Sequence, residues 1–91
     1  MASFEVILLP QAEKFYQKCS DELAKRLNKC FEDLEQSPFQ GPPIKLLKTS
    51  KGLRFYRYRI GDYRVIYDID KELKKVAIHL ILPRSRAYRD F

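Results

Sequence analysis

Apolar residues crowd the first nine positions, then recur at helical spacing, and from residue 53 onward alternate with polar ones, so the period of the pattern changes twice along the chain. Ser3 to Leu9 (SFEVILL) is apolar and ends at Pro10. Proline cannot continue a central strand but suits the first turn of a helix, which predicts a strand running into a helix. Gln11 to Cys19 sets Ala12, Phe15, Tyr16 and Cys19 at helical spacing, with Glu13, Lys14 and Lys18 opposite. Ser20 or Asp21 is then expected to cap a second helix carrying a stripe of Leu23, Leu27, Cys30, Phe31 and Leu34.

Ser37 to Ser50 (SPFQGPPIKLLKTS) holds three of the five prolines and reads as a connection, a surface loop packing a few apolar residues such as Phe39, Ile44 or Leu46. Leu53 to Ile60 (LRFYRYRI) alternates, Gly61-Asp62 is a two-residue hairpin signal, and Tyr63 to Ile69 (YRVIYDI) alternates again. After a turn over Asp70 to Lys74 comes a mostly apolar strand, Lys75 to Leu82 (KVAIHLIL). The order is β-α-α-β-β-β. It predicts an α+β fold in two layers: an N-terminal strand, a helical hairpin, then a three-stranded antiparallel meander with the helices on one face of the sheet.

Ninety-one residues at 45% apolar and 33% charged composition suit one globular domain over residues 1–91, too hydrophobic for disorder and too short for large cofactor-binding folds. The longest apolar run, Val6 to Leu9, is far short of the ~20 residues of a membrane span, and no signal-like stretch opens the sequence, so a cytoplasmic protein without membrane association is expected. Cys19 and Cys30 form no CxxC and His79 is remote from them in sequence, too few ligands for a zinc site. Neither a metal nor a cofactor is expected, and the cysteines read as small hydrophobes or idle thiols.

Charge sharpens the picture. Residues 1–44 carry five Lys/Arg against seven Asp/Glu, a net of −2, whereas residues 45–91 carry thirteen against five, a net of +8. Such asymmetry points to a polyanionic partner, nucleic acid first and an acidic protein second. Strand alternation sets Phe55, Arg57 and Arg59 on one face and Arg54, Tyr56, Tyr58 and Ile60 on the other. In the simplest two-residue hairpin register Ile60 opposes Tyr63 and Arg59 opposes Arg64, so Arg57, Arg59 and Arg64 share a face. On that face Arg64 would be truncated without opening a cavity. The last segment, Pro83 to Phe91 (PRSRAYRDF), adds Arg84, Arg86, Arg89 and Tyr88, and antiparallel pairing of the last two strands brings its start near Arg64. Two readings stand at this point: a phosphate-binding surface, and a solvated basic surface whose arginines lie over aromatic neighbours. Tyr56, Tyr58, Tyr63 and Tyr67 read as packing residues.

The run Gly52 to Asp70, GLRFYRYRIGDYRVIYDID, resembles the central hairpin of the RelE/ParE toxin superfamily of toxin–antitoxin modules, whose members combine a short Arg-rich strand, a Gly-Asp-Tyr-Arg turn and a Val-Ile-Tyr strand. The resemblance extends to the N-terminal strand, Pro10 and a helix with Ala12-Glu13, a second helix ending near Ser37-Pro38, the Lys45-Leu46 segment and the basic C-terminus. For RelE-like members it implies a metal-free mRNA endonuclease working in the ribosomal A site, with the ribose 2′-hydroxyl as nucleophile, a 2′,3′-cyclic phosphate and a 5′-hydroxyl as products, and translation as the process inhibited. By position it implies Arg57, Arg59, Arg64, Arg84 and Tyr88 as catalytic residues and Lys45, Lys48, Arg86 and Arg89 as RNA contacts. It also implies a cognate antitoxin, an acidic segment that folds onto the basic half.

Fixed arginines can stabilise the charge that gathers on a phosphorus in displacement, but with pKa above 12 they do not take a proton, which leaves Tyr88 as the candidate base in the tail. Where some members of the superfamily place Lys on the second strand, or a Glu/His pair, this chain has Arg57 and Arg59; His79, mid-strand between Ile78 and Leu80, reads as structural. Two other functions are compatible with the same fold: a ParE-like inhibitor of DNA gyrase without nuclease chemistry, and a non-catalytic RNA- or ribosome-binding module.

Overall fold

The computed structural model describes residues 3–86. Strand β1 (Glu5–Leu8) runs into helix α1 (Pro10–Lys18), with Pro10 in the first turn as expected and Leu9 at the N-cap offering no side-chain acceptor. Helix α2 (Asp21–Gln36) is better begun: the Ser20 hydroxyl oxygen accepts from the Leu23 amide at 3.2 Å, and Asp21 and Glu22 lie in the first turn, where the helix dipole favours negative charge. Leu23, Leu27, Cys30 and Leu34 of the expected stripe are buried, and Phe31 packs at its margin. Fully burying each leucine contributes roughly 1.5–3 kcal/mol.

The segment read as a loop contains a strand, β2 (Ile44–Lys48), which pairs antiparallel with β3 (Arg54–Ile60) through Ile44 opposite Tyr58 to Lys48 opposite Arg54. Pro42-Pro43 hides it in the sequence, because proline cannot donate to a ladder, yet an edge strand can start directly after one. Its return turn is built by Thr49, whose amide donates to the Leu53 carbonyl, and by Gly52 at φ +83°. The meander therefore has four strands and not three, continuing through β4 (Tyr63–Asp70) and β5 (Lys75–Pro83). Strand β1 then adds to β5 in parallel, Val6 beside Val76, so the sheet is mixed and five-stranded in the order β1-β5-β4-β3-β2.

Both helices lie on one face. Ala12, Leu23, Leu27, Cys30 and Leu34 meet Tyr58, Ile60, Val65, Tyr67, Val76, Ile78 and Ile81 there, and Tyr56 and Tyr63 pack against this core. The buried phenols are satisfied: Tyr67 donates to the Pro38 carbonyl at 2.7 Å and Tyr58 to Asp33 Oδ2 at 2.6 Å. Burial pushes both hydroxyls, and the Cys30 thiol beneath them, well above their ordinary range. Cys30 is thereby inert, and Cys19 donates its thiol to the Tyr16 carbonyl.

Candidate nucleic-acid interface

Alternation in β3 sends Tyr56, Tyr58 and Ile60 into the helix-side core, so Phe55, Arg57 and Arg59 occupy the face turned away from the helices. The β3–β4 hairpin closes in the expected register, Ile60 opposite Tyr63 and Arg59 opposite Arg64. Lys45 lies beside Arg57 on the same face, and Leu82 beside Arg64. One row thus reads Lys45, Arg57, Ile66, Leu80 across four strands, and the next Arg59, Arg64, Leu82. Lys48 pairs with Arg54 and falls on the helix-side parity, away from this set.

Arg64 differs from its neighbours. It is 4% exposed, against an exposed Arg59, so its truncation would remove packed volume, contrary to the expectation from alternation. Alternation assigns a side chain to a face but not to a depth, and here the guanidinium folds back on the turn: Arg64 Nη1 donates to the carbonyls of Gly61 and Tyr63, both at 2.9 Å. Among the described residues no carboxylate pairs with it, and its buried Nε has no hydrogen-bond partner. The turn is shaped for this arrangement. Gly61 sits at φ +50°, and a Cβ there would come within 2.8 Å of Arg26 Nη2, which lies over the glycine from α2.

The end of β5 arrives from the other side. Tyr63 pairs with Pro83, and the Arg84 amide donates to the Asp62 carbonyl at 2.7 Å, which fixes Arg84 next to the Gly61-Asp62 turn. Arg84 and Arg86 are both exposed. Tyr88 and Arg89 lie outside the described residues. The turn therefore gathers Arg59, Arg64 and Arg84, with Arg57 and Lys45 one residue pair further along the sheet.

Sequence reasoning missed the environment of His79. Between Ile66 opposite Leu80 and Tyr67 opposite Ile78 the register shifts by one residue, so His79 is the extra residue of a β-bulge in β5. Ile78 still points into the core, while His79 emerges on the far face. There its Nε2 lies 2.7 Å from Asp68 Oδ2, and its ring stands at 88° to Phe55 with centroids 5.3 Å apart. His79 and Asp68 side chains are 32% and 42% exposed. Beside them a hollow of about 410 Å³ is lined by Leu9, Pro10, Gln11, Phe55, His79 and Leu80. A continuous apolar run such as KVAIHLIL gives no sign of a bulge; only the isolated histidine within it hints at one.

A family model described as the ParE toxin of the type II toxin–antitoxin system parDE matches residues 6–88. The chain belongs to this toxin family, within the RelE/ParE superfamily. Among solved structures, the archaeal RelE–RelB complex from Pyrococcus horikoshii OT3 contains a chain 29% identical to this one, with a TM-score of 0.79 over 92% of this toxin and 98% of that chain. The RelBE2 toxin–antitoxin complex of Mycobacterium tuberculosis is similar at 23% identity and a TM-score of 0.77, covering 90% and 99%. The YoeB dimer of Staphylococcus aureus shares the fold at 20% identity and a TM-score of 0.72, covering 89% and 97%. No curated protein sequence matches the toxin. Among the described residues no helix is long and apolar enough to cross a membrane.

Proposed function

We propose that this toxin cleaves messenger RNA on the ribosome and so stops translation. The observation that carries the reading is the buried guanidinium of Arg64, held by two backbone carbonyls with no carboxylate beside it among the described residues. A desolvated cation without a counter-ion is costly, and an anion placed on that face recovers the cost. Arg59, Arg84 and Arg57 present forked donors around it that match phosphate oxygens. In this reading they hold the scissile phosphate while the fixed charge of Arg64 lies beneath, and charge developing in the displacement is stabilised without a metal. Lys45 extends the track along β2 and Arg86 continues it past Arg84; Tyr88 and Arg89, outside the described residues, are proposed as contacts from the sequence alone. Incubating the purified toxin with ribosomes programmed with a short labelled message is the test: new 5′-hydroxyl ends in the A-site codon support the reading, and an intact message refutes it.

The match to the ParE model favours a second reading, inhibition of DNA gyrase by binding. A supercoiling assay separates the two, because an RNA-cleaving toxin leaves gyrase active. We also propose a cognate antitoxin, in keeping with the toxin–antitoxin complexes among the similar structures. An acidic segment laid over Arg57, Arg59 and Arg84 would neutralise the same charges that bind phosphate. Co-purification of this toxin with the product of an adjacent reading frame, and loss of cleavage in the complex, tests that partnership.

A further inference from the structure

We propose that His79, oriented by Asp68, is the group that takes the proton from the ribose 2′-hydroxyl, a role that rests on the RNA-cleaving reading above. An RNA-cleaving site on this face needs a proton acceptor that arginine cannot supply. Four observations converge on His79. Alternation after the core residues Val76 and Ile78 puts His79 on the face that carries Arg57 and Arg59, and the β-bulge sets Leu80 beside it on that face. Asp68 Oδ2, 2.7 Å from Nε2, accepts its proton while ionised, which fixes the tautomer and leaves the lone pair on Nδ1. The Phe55 ring, edge-on to the imidazole, restrains its rotation. The adjoining 410 Å³ hollow, walled by Leu9, Pro10, Phe55 and Leu80, has room for a nucleobase beside the imidazole.

The hollow also adjoins the basic row. Phe55 is two residues from Arg57 on one face of β3, and Leu80 is separated from Arg57 by Ile66 alone, two strand spacings or about 10 Å. A nucleotide with its base in the hollow would have an adjacent phosphate within reach of Arg57, and the proposed step uses the pose in which that is the 3′-phosphate. The step balances without a co-reactant. His79 takes the 2′-hydroxyl proton, the 2′-oxygen bonds to the adjacent phosphorus, and the bond from phosphorus to the 5′-oxygen breaks. The 5′-oxygen then takes a proton from solvent, to which His79 returns its own. Asp68 is a positioning residue: it stabilises the imidazolium as it forms. Among the described residues that line the hollow His79 alone is titratable, and Asp68 also lines a neighbouring groove with Arg54, Asp70, Lys71 and Glu72.

The test uses single-turnover cleavage of a short message on programmed ribosomes, by wild-type toxin and by His79→Gln, His79→Ala and Asp68→Asn, each first shown to be folded by circular dichroism. His79→Gln, which retains a donor toward Asp68, guards against loss of fold. Both His79 variants should cleave 10²–10⁴-fold more slowly, the range proton transfer typically contributes, and added imidazole should restore part of the His79→Ala rate. Asp68→Asn should lower the single-turnover rate while leaving the toxin concentration for half-maximal cleavage near that of wild type, a split that general loss of structure would not give. If wild-type toxin cleaves and both His79 variants keep its rate, or if Asp68→Asn cleaves at the wild-type rate, this assignment is overturned while the nuclease reading stands. A wild-type toxin that leaves the message intact overturns both.

Discussion

Arg59 and Arg64 face each other across the β3–β4 hairpin, yet one guanidinium is open to water and the other is buried against the carbonyls of its own turn. Side by side in water, two such charges would repel by a few tenths to about 1 kcal/mol. Folding Arg64 back on Gly61 and Tyr63 leaves a buried charge beside an exposed one. This arrangement gives the two residues different mutational signatures.

Arg64→Ala should lower stability by about 1–3 kcal/mol, because two charged hydrogen bonds and packed volume are lost and the turn carbonyls lose their donor. Arg59→Ala should stay within about 0.5 kcal/mol of wild type, as expected of an exposed position. Both should reduce toxicity. Urea unfolding followed by circular dichroism checks the contrast; an Arg64→Ala midpoint equal to that of wild type would mean that the buried guanidinium contributes nothing to the fold.

Gly61→Ala combines two penalties, a left-handed backbone at φ +50° and a Cβ pressed against Arg26. A loss of about 1–3 kcal/mol is expected from the backbone alone. Arg26→Ala in the same chain should recover the steric share, so a double-mutant cycle should give a coupling of at least ~0.5 kcal/mol. Additive losses would show that the guanidinium moves aside freely.

Alkaline pH should destabilise the toxin. Tyr67, Tyr58 and Cys30 all hold their protons more firmly when folded than in the unfolded chain, so their contribution is complete below the ordinary values of 9–10 and falls as pH rises through the raised folded values. Above pH 10 each contributing group should subtract about 1.4 kcal/mol per pH unit. Unfolding free energies measured under reducing conditions between pH 8 and about 11 should show this slope, and Tyr67→Phe should make it shallower. A flat profile would contradict the buried phenols.

Tyr88 carries the earlier expectation of a base in the tail. With His79 taking the proton, Tyr88→Phe should cleave nearly as well as wild type, and Tyr88→Ala should lose the roughly 1–3 kcal/mol of a stacking ring. Equal and severe defects in both variants would return the proton-transfer role to the phenol.

The hairpin register, the two helices and the helix-side core could be read from the sequence because each rests on a local signal: Gly61-Asp62 between alternating runs, Pro10 and Ser20 at helix starts, and leucines three and four apart. What escaped depends on distant partners. Strand β2 exists because β3 offers it an edge, and its own residues, with Leu46 still exposed, give it weak strand character. The parallel docking of β1 is decided by the other end of the chain. Leu80 shares the far face with His79 only through a register slip with β4, which no periodicity within KVAIHLIL encodes. At the candidate site, the grouping of Arg57, Arg59 and Arg64 followed from alternation, whereas the depth of Arg64 followed from the turn.

The parallel seam between β1 and β5 also sets a timetable. Val6 can meet Val76 only after seventy further residues have been made, while every other strand pairing joins neighbours in the sequence. Closing so long a loop carries an entropic cost that near-neighbour hairpins avoid, so the meander is the unit that forms first and β1 docks last. During synthesis the first strand emerges early and waits without its mate. A chain whose translation is cut short before β5 leaves the ribosome without its seam, and the His79 bulge has not been made. This toxin gains its seam and its bulge only once β5 has been made.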